Sequence, residues 1–514
     1  MTTAIRTSGA AEVGTADVPY VDVHETHTGV VVLIGDRAFK AKKPVLTDFL
    51  DFRTVEQRER ACAREVELNS RLSPDSYLGV AHLTDPSGGP DEPIVVMRRY
   101  HDDDRLASVM NRGPAEYVRG VLDTIAGVLA RFHKDAGRSR VIDAQATATA
   151  VDGRWRENLS ELNCYASKAN SGVDYETLSR IHRLAAEFTS GRAPLFGQRI
   201  DEGCIVDGHA DLLADDIFCA ATGPALLDCL EFDDKLRYVD CIDDAAFLAM
   251  DLEFLGRKDL GDYFLERYAV HSADTAPSSL RDFYIAYRAV VRAKVACVRL
   301  TQGKLDAAED ATRHLAIATR HLEHGSVRLA LVGGNPGTGK STIAHALAEK
   351  VGAQVISTDD IRRELRESGA ITGDAGVLDG GLYSARNVRM VYDMALDRAR
   401  ELLGNGQSVI LDGTWRDSHL RAHAHRVATE TLSAMVELMC VATNDAAAER
   451  ITTRRGGNSD VTPEIAAAVA SRNTGWGTAY SVDTSQSLEH CVHAARDIWY
   501  RAIYAPGMRM TAWS

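Results

Sequence analysis

The stretch from Arg328 to Asp360, RLALVGGNPGTGKSTIAHALAEKVGAQVISTDD, decides how the C-terminal part of this 514-residue chain is read. It opens with the apolar run LALV, which suits a buried strand. Gly334-Asn335-Pro336-Gly337-Thr338-Gly339-Lys340-Ser341 follows and fits the pattern G-x-x-x-x-G-K-S/T. The run from Thr342 to Lys350 then has helical character. Strand, glycine-rich loop and helix N-terminus together make an anion site, because the glycines let successive backbone N–H groups turn inward. The spacing puts nucleotide phosphates on the loop from Gly334 through Thr342, with Lys340 at the β/γ-phosphates and Ser341 at Mg²⁺. ATP and Mg²⁺ are therefore the expected ligands.

Moving outward, Val355-Ile356-Ser357 reads as a second strand. It ends in Thr358-Asp359-Asp360, with Arg362 and Arg363 behind. An aspartate at that strand end can take the proton of an attacking hydroxyl, and an arginine can hold the acceptor or neutralise phosphoryl charge. Val409–Asp412, VILD, is a strand ending in an acid, the usual place for a Mg²⁺ aspartate, and it runs on into Gly413-Thr414-Trp415-Arg416. Val436–Val441 is a further strand. The helical stretch AAAERITTRR follows, carrying Arg450, Arg454 and Arg455. A helix restarts at Pro463, and another contains Trp499 and Tyr500. Strand and helix alternate, so this part is predicted as an α/β domain with a parallel sheet and its ATP site at the strand C-termini.

The rest of the chain is different. His27–Val45 reads as a hairpin, with strands Val30–Ile34 and Arg37–Lys42 around the turn Gly35-Asp36. Val55–Leu72 reads as a helix that brings Glu65 within reach of a strand lysine, and Ile94–Met97 as another strand. Helices then dominate, at Val118–His133, Leu178–Phe188, Tyr263–Val298 and Leu305–Glu323. They are interrupted by Cys204–Asp251, where short apolar strands end in acids. His209-Ala210-Asp211, Asp216, Asp228 and Glu231 cluster there. One such carboxylate can accept a hydroxyl proton, and two more oxygen ligands can hold Mg²⁺ against phosphate. Gly325 stops the last helix and marks a domain boundary.

The nine cysteines are scattered without a C-x-x-C, which suits a reducing compartment and not a zinc site or disulfide framework. No apolar run approaches membrane-spanning length and no basic-then-apolar leader starts the chain, so a soluble cytoplasmic protein with no membrane partner is expected. The net charge of −14 is unevenly spread: residues 1–324 carry 39 Lys+Arg against 52 Asp+Glu, and residues 325–514 carry 20 against 21. An acidic first part disfavours nucleic acid there and leans toward a cationic or neutral substrate.

Two resemblances extend this reading. TDDIRR resembles the polynucleotide-kinase-like and zeta-toxin-like kinases. That resemblance implies Asp359 as the acceptor base, with Asp360 as the alternative, and Arg362 beside it. Arg450, Arg454 and Arg455 resemble a lid over the transferring phosphoryl, with Arg454 favoured. His209-Ala210-Asp211-Leu212-Leu213-Ala214-Asp215-Asp216 resembles the H-G-D-L-H-x-x-N motif of aminoglycoside phosphotransferase-like, kinase-like enzymes. It implies Asp211 as the catalytic aspartate, Asp216 and Asp228 as metal ligands, Lys42 or Lys40 as the ATP-phosphate lysine with Lys42 preferred, and Glu65 as its helix partner. Ala210, Leu213 and Asp216 depart from that motif, and no G-x-G-x-x-G lies between Thr28 and Asp36.

Nearly the whole chain resembles bacterial fusions of the two kinds. This implies an α+β kinase-like domain over 22–322 and an α/β P-loop kinase domain over 325–514. The expectation is an ATP-dependent kinase acting on the hydroxyl of a small polyhydroxylated molecule, such as a sugar, aminosugar or aminoglycoside-like compound. The acidic first half favours an amine-bearing acceptor. The alternatives are a polynucleotide 5′-hydroxyl kinase and a nucleotide-sensing regulatory ATPase whose kinase-like half is non-catalytic. The oligomeric state is left open.

Overall fold

The computed structural model describes residues 21–25, 29–46, 51–168, 170–374, 379–453 and 475–504. Arg454, Arg455 and the helix expected from Pro463 lie outside them. The chain divides into two compact units, Met1–Ala146 with Gly203–Thr275 and Thr147–Glu202 with Ala276–Ser514.

The first unit is α+β. Its main sheet holds β1 (Val21–Glu25), β2 (Gly29–Ile34), β3 (Arg37–Lys42), β4 (Tyr77–Leu83) and β5 (Glu92–Arg98), in the order β1-β2-β3-β5-β4 with every pair antiparallel. The expected hairpin is β2–β3, with Val30 opposite Ala41 and Gly35 in the turn at φ +56°. Strand alternation puts Ala38, Lys40 and Lys42 on one face of β3. Against that face lies the helix Val55–Ser70, whose buried residues include Cys62, Glu65 and Leu68. A capping box of Thr54 and Gln57 starts it. Two short antiparallel ladders follow, β6 (Ile205–Asp207) with β9 (Tyr238–Asp240) and β7 (Ile217–Ala220) with β8 (Gly223–Leu226). They accompany the helices Ala115–Asp135, Cys241–Phe254 and Lys258–Ser272. The helical stretch expected over Tyr263–Val298 is two helices. Ala273 turns left-handed at φ +55°, and Pro277 caps the next helix, Ser278–Thr301.

The second unit carries a parallel sheet of β10 (Arg328–Gly333), β11 (Gln354–Ser357), β12 (Val409–Asp412), β13 (Ala434–Val441) and β14 (Tyr480–Asp483), ordered β11-β12-β10-β13-β14. Every residue of β10 is buried, because the strand is central and covered on both faces. The helix Lys340–Val351 packs Ile343, Ala344 and Leu347 into the core with Val332, Ile410 and Leu438. The helices Ala148–Ala166, Tyr175–Gly191, Ala193–Asp201, Ser278–Thr301 and Ala307–His324 belong to this unit too. Phe188 and Phe283 stack at 4.3 Å in their midst.

Arg192 fastens these helices to the back of the sheet layer. Its guanidinium is buried and donates to the carbonyls of Leu403, Thr431 and Leu432. Leu403 and Thr431 stand at the C-terminal ends of the helices Ala385–Gly404 and Ser418–Glu430, where carbonyls have no partner within the helix. Burial lowers the Arg192 pKa to about 9, still high enough to keep it charged at neutral pH. Ser279 Oγ adds a 2.6 Å bond to Gly406 O.

Candidate active site

The glycine loop follows β10. At Gly334 (φ +133°) a Cβ would lie 2.4 Å from the Cys440 carbonyl oxygen, and at Gly337 (φ +79°) one would lie 2.5 Å from that of Ala447. Only glycine fits these positions, so the loop is a tight backbone cradle. Thr338 Oγ1 and Lys340 Nζ both donate to Asn335 O, at 2.7 and 3.1 Å, which holds the loop curled. The Ser341 hydroxyl hydrogen-bonds the Asp412 carboxylate, bringing together the two expected metal residues from a helix N-terminus and a strand end. Burial raises the Asp412 pKa above its ordinary value, against the Ser341 bond and the Lys340 charge. The donor set, a hydroxyl and a carboxylate beside an anion cradle with a lysine, fits Mg²⁺ and a nucleotide triphosphate.

The residues expected to face the acceptor lie along β11 and β12. Ser357 Oγ caps the helix Thr358–Glu367 by accepting from the N–H groups of Asp359 and Asp360 at 3.2 and 3.4 Å. Asp359 is paired with the buried Arg362, whose guanidinium stacks 4.5 Å over the Tyr383 ring. Asp360 pairs with Arg363 on the exposed side of the helix, at 3.0 Å. Arg450 donates to Thr484 Oγ1 and O at 3.0 and 2.8 Å, beside the loop carbonyl of Gly337.

Two residues of this site carry no sequence signal. Tyr392 Oη accepts from the N–H groups of Thr414 and Trp415 at 3.0 and 3.3 Å. Trp415 is wholly buried at φ +50°, an unfavourable conformation for a non-glycine residue, and its indole N–H donates to Leu411 O at 3.1 Å. The Thr414 carbonyl accepts from Gly334 N at 3.4 Å, so this strained turn touches the phosphate loop.

In the first unit, the cluster forms around Glu65. Lys40 Nζ lies 2.8 Å from Glu65 Oε1 and 2.9 Å from Asp228 Oδ1. Lys42 Nζ lies 2.6 Å from Glu65 Oε2 and pairs also with Glu231. Both lysines therefore reach the helix glutamate, and Lys40 is the one that bridges to Asp228. Burial opposes the charge on Glu65, but Lys40 and Lys42 outweigh it and bring its pKa to about 2. Burial and the Glu65 charge instead push Glu231 up to about 7. Asp216 rises to about 8, from burial and the charges of Asp228 and Asp211. A cation between Asp216 and Asp228 would relieve that repulsion, although no three metal-ligating side chains converge among the described residues.

Asp211 follows a loop held from beneath by Asp244. That buried carboxylate accepts from His209 N and Ala210 N, both at 2.7 Å, and from His133 Nε2 at 3.0 Å. Burial opposes its charge, but His133 and these partners hold its pKa below the carboxylate range. Ala210 is left-handed at φ +66° where the related motif has glycine, and Asp244 holds it there. Arg237 belongs to a separate buried network, pairing with Asp207 and Asp234 at 2.8 and 2.6 Å. Tyr287 packs 5.4 Å from Trp155 in the helical core, and Lys294 pairs with Glu161 at 3.3 Å.

A glycine cradle at the C-terminal end of the central strand of a parallel sheet defines a P-loop nucleotide-binding unit. Residues 329–473 match the family model described as AAA domain. The chain belongs to the family of the uncharacterized protein Rv2004c of Mycobacterium tuberculosis H37Rv, with 66% identity over 487 residues covering 95% of this chain and 97% of that protein. The uncharacterized protein Mb2027c of Mycobacterium bovis matches equally, at 66% over 487 residues. Among solved structures, a sugar kinase from Janibacter sp. HTCC2649 is 16% identical, covering 34% of this chain and 98% of its own at TM-score 0.29. A choline/ethanolamine kinase family protein from Mesorhizobium loti is 15% identical, covering 59% and 92% at TM-score 0.38. Among the described residues no helix is long and apolar enough to cross a membrane.

Proposed function

We propose that this protein is an ATP-dependent phosphotransferase of the cytoplasm, combining a kinase-like first domain with a P-loop kinase. Its acceptor is the hydroxyl of a small polyhydroxylated molecule. The observation that carries this reading is the arrangement around β10 and its neighbours: the cradle with Lys340, the Ser341–Asp412 pair, and the Asp359–Arg362 pair at the next strand end. Lys340 and the loop amides would hold the phosphates, and Ser341 and Asp412 would hold Mg²⁺, which would supply neutralisation of the phosphate charge. Asp359 takes the hydroxyl proton as the acceptor oxygen bonds to the γ-phosphorus and the β,γ-bridging P–O bond breaks, releasing ADP. Arg362 fixes the orientation of Asp359, and Arg454 is assigned to the lid from its sequence position alone.

A second reading keeps the first domain as a nucleotide-binding module without transfer. It is favoured by Asp216, which stands where the related motif has asparagine and crowds charge onto Asp228 and Asp211. The test is incubation with MgATP and pooled metabolites, with mass spectrometry for one added phosphoryl group, in Lys340→Ala and Asp211→Ala chains. Product lost only with Lys340→Ala places the chemistry in the P-loop domain. Product lost only with Asp211→Ala places it in the first. ATP hydrolysis without any phosphorylated product refutes the phosphotransferase.

A further inference from the structure

Among the described elements, the helix Val55–Ser70 packs on the main sheet of the first unit, and it takes the face that carries Ala38, Lys40 and Lys42. Strand alternation sends the intervening residues to the opposite face. There the register sets Val23, Val32, Phe39 and Val96 in one row across β1, β2, β3 and β5. Val30, Ala41, Ile94 and Ala81 form the next row, across β2, β3, β5 and β4. Among the described residues none on this outer face is buried, whereas Ala38, Lys42, Val95 and Met97 on the inner face are. Val23 is 51% exposed, and Leu83, at the end of β4 on the same face, is 63% exposed. Contiguous apolar surface of this kind marks a place of association.

The charges at the margins of these rows are largely matched within the chain. Arg37 pairs with Asp36 at 3.2 Å, Glu25 with Lys43, and Glu92 with Arg58. Arg98 stands exposed beyond the apolar rows, beside Arg37 at the same end of the face. A nucleic acid or a strongly charged peptide would find little net charge to read here. What fits is a second neutral, apolar surface with the twist of a sheet.

We propose that this outer face is a homodimer contact, in which two copies of the chain stack sheet on sheet about a two-fold axis along the row from Val23 to Val96. A copy supplies the same twist, and stacked sheets lie about 10 Å apart and within about 30° of alignment. The axis sets the Arg37–Arg98 end of one copy over the Glu25 end of the other, so like charges are not opposed. Five strands about 4.8 Å apart, each of about six residues at about 3.3 Å, offer about 480 Å² per copy. Two copies together reach about 1,000 Å², the lower bound for a specific interface, so the dimer is reversible with a Kd of about 1–100 μM. Each chain carries a net charge of −14, whose mutual repulsion salt screens. Such pairing is independent of what either domain phosphorylates.

The test is sedimentation equilibrium of the full-length chain from about 1 to about 200 μM, in about 0.05 and about 0.3 M NaCl. The average mass should climb from one chain toward two, and the apparent Kd should fall as salt rises. Val23→Glu and Val32→Glu should each weaken the association by about tenfold or more, because each sets a charge inside the contact. Leu305→Glu, at an 81% exposed apolar side chain of the second unit, should leave it unchanged. Hydroxyl-radical footprinting of the parent reads the contact without a substitution: Ile34 and Phe39 should be shielded at the high concentration and reactive at the low one. A chain that stays monomeric throughout overturns the inference. Phe39 shielded at every concentration in a monomer means that the face is covered within one chain, which overturns it too. A dimer that ignores both glutamates, or one that dissociates as salt rises, is built on another surface and equally overturns it.

Discussion

Replacing Glu231 by glutamine removes a partner of the buried Lys42, yet it is expected to stabilise the first unit above neutral pH. The cluster sets two lysines, Lys40 and Lys42, against the acids Glu65 and Glu231 inside the fold and the exposed Asp228 at its edge. One negative charge is in excess, and Glu231 is the acid that gives way. Its pKa is raised from 4.5 to about 7, by burial first and then by Glu65. A carboxyl that binds its proton more tightly when folded makes the fold less stable as pH rises from the unfolded to the folded pKa. At 1.36 kcal/mol for each tenfold change, ionising Glu231 costs about 3 kcal/mol once pH exceeds 7. Glutamine keeps a carbonyl for Lys42 and leaves two charges against two.

Glu231→Gln should therefore match the parent near pH 4.5 and exceed it by about 1–3 kcal/mol at pH 8. Hydrogen exchange of the β3 amides, corrected for intrinsic rates, reads this as a protection change of about tenfold per 1.4 kcal/mol. The parent should lose protection between pH 5 and 8, and the variant should not. A variant less protected at pH 8, or a parent with a flat profile, would refute the reasoning.

Asp244→Asn should destabilise the first unit by about 3–5 kcal/mol and lower the exchange protection of residues around His209, since a buried paired charge is lost. In the parent, the stabilisation from Asp244 is present above the unfolded carboxylate pKa of about 3.9 and disappears as pH falls below it, which acid titration of unfolding can check. Tyr392→Phe leaves the N–H groups of Thr414 and Trp415 unpaired, costing about 1–3 kcal/mol each at most, and should raise the acceptor KM while nucleotide affinity holds. Gly337→Ala forces a Cβ against the Ala447 carbonyl at a left-handed φ, so binding of a fluorescent ATP analogue should weaken by about tenfold or more.

What could be read in the sequence was whatever is contiguous in it. The phosphate loop is a local device, with strand, glycines and helix in one run, and the structure has them in that order. Lys40, Lys42 and Glu65 were visible as strand and helix residues, but their division of labour was not. Strand alternation turns both lysines the same way, and only Asp228 and Glu231, over 180 positions later, distinguish them. Asp244 and Tyr392 act on backbone N–H groups 34 and 22 positions away, and no spacing rule announces such contacts. β4 was missed because YLGVAHL carries Gly79 at φ +136° beside a register shift, which breaks the alternation of an ordinary strand. β14 reads YSVD with only Val482 buried, so it lacks the apolar run that marks β11 and β12.

The Arg192 anchor bears on how the nucleotide half can be isolated. A fragment opening at Gly325 would lack the cation on the carbonyls of Leu403 and Thr431, and the Ser279 hydroxyl on Gly406. It would also bare whatever sheet-layer surface the missing helices had covered. The smallest piece with that rear wall intact is discontinuous in sequence, Thr147–Glu202 joined to Ala276–Ser514. No single proteolytic cut yields it, and limited digestion should release the cradle only together with those helices.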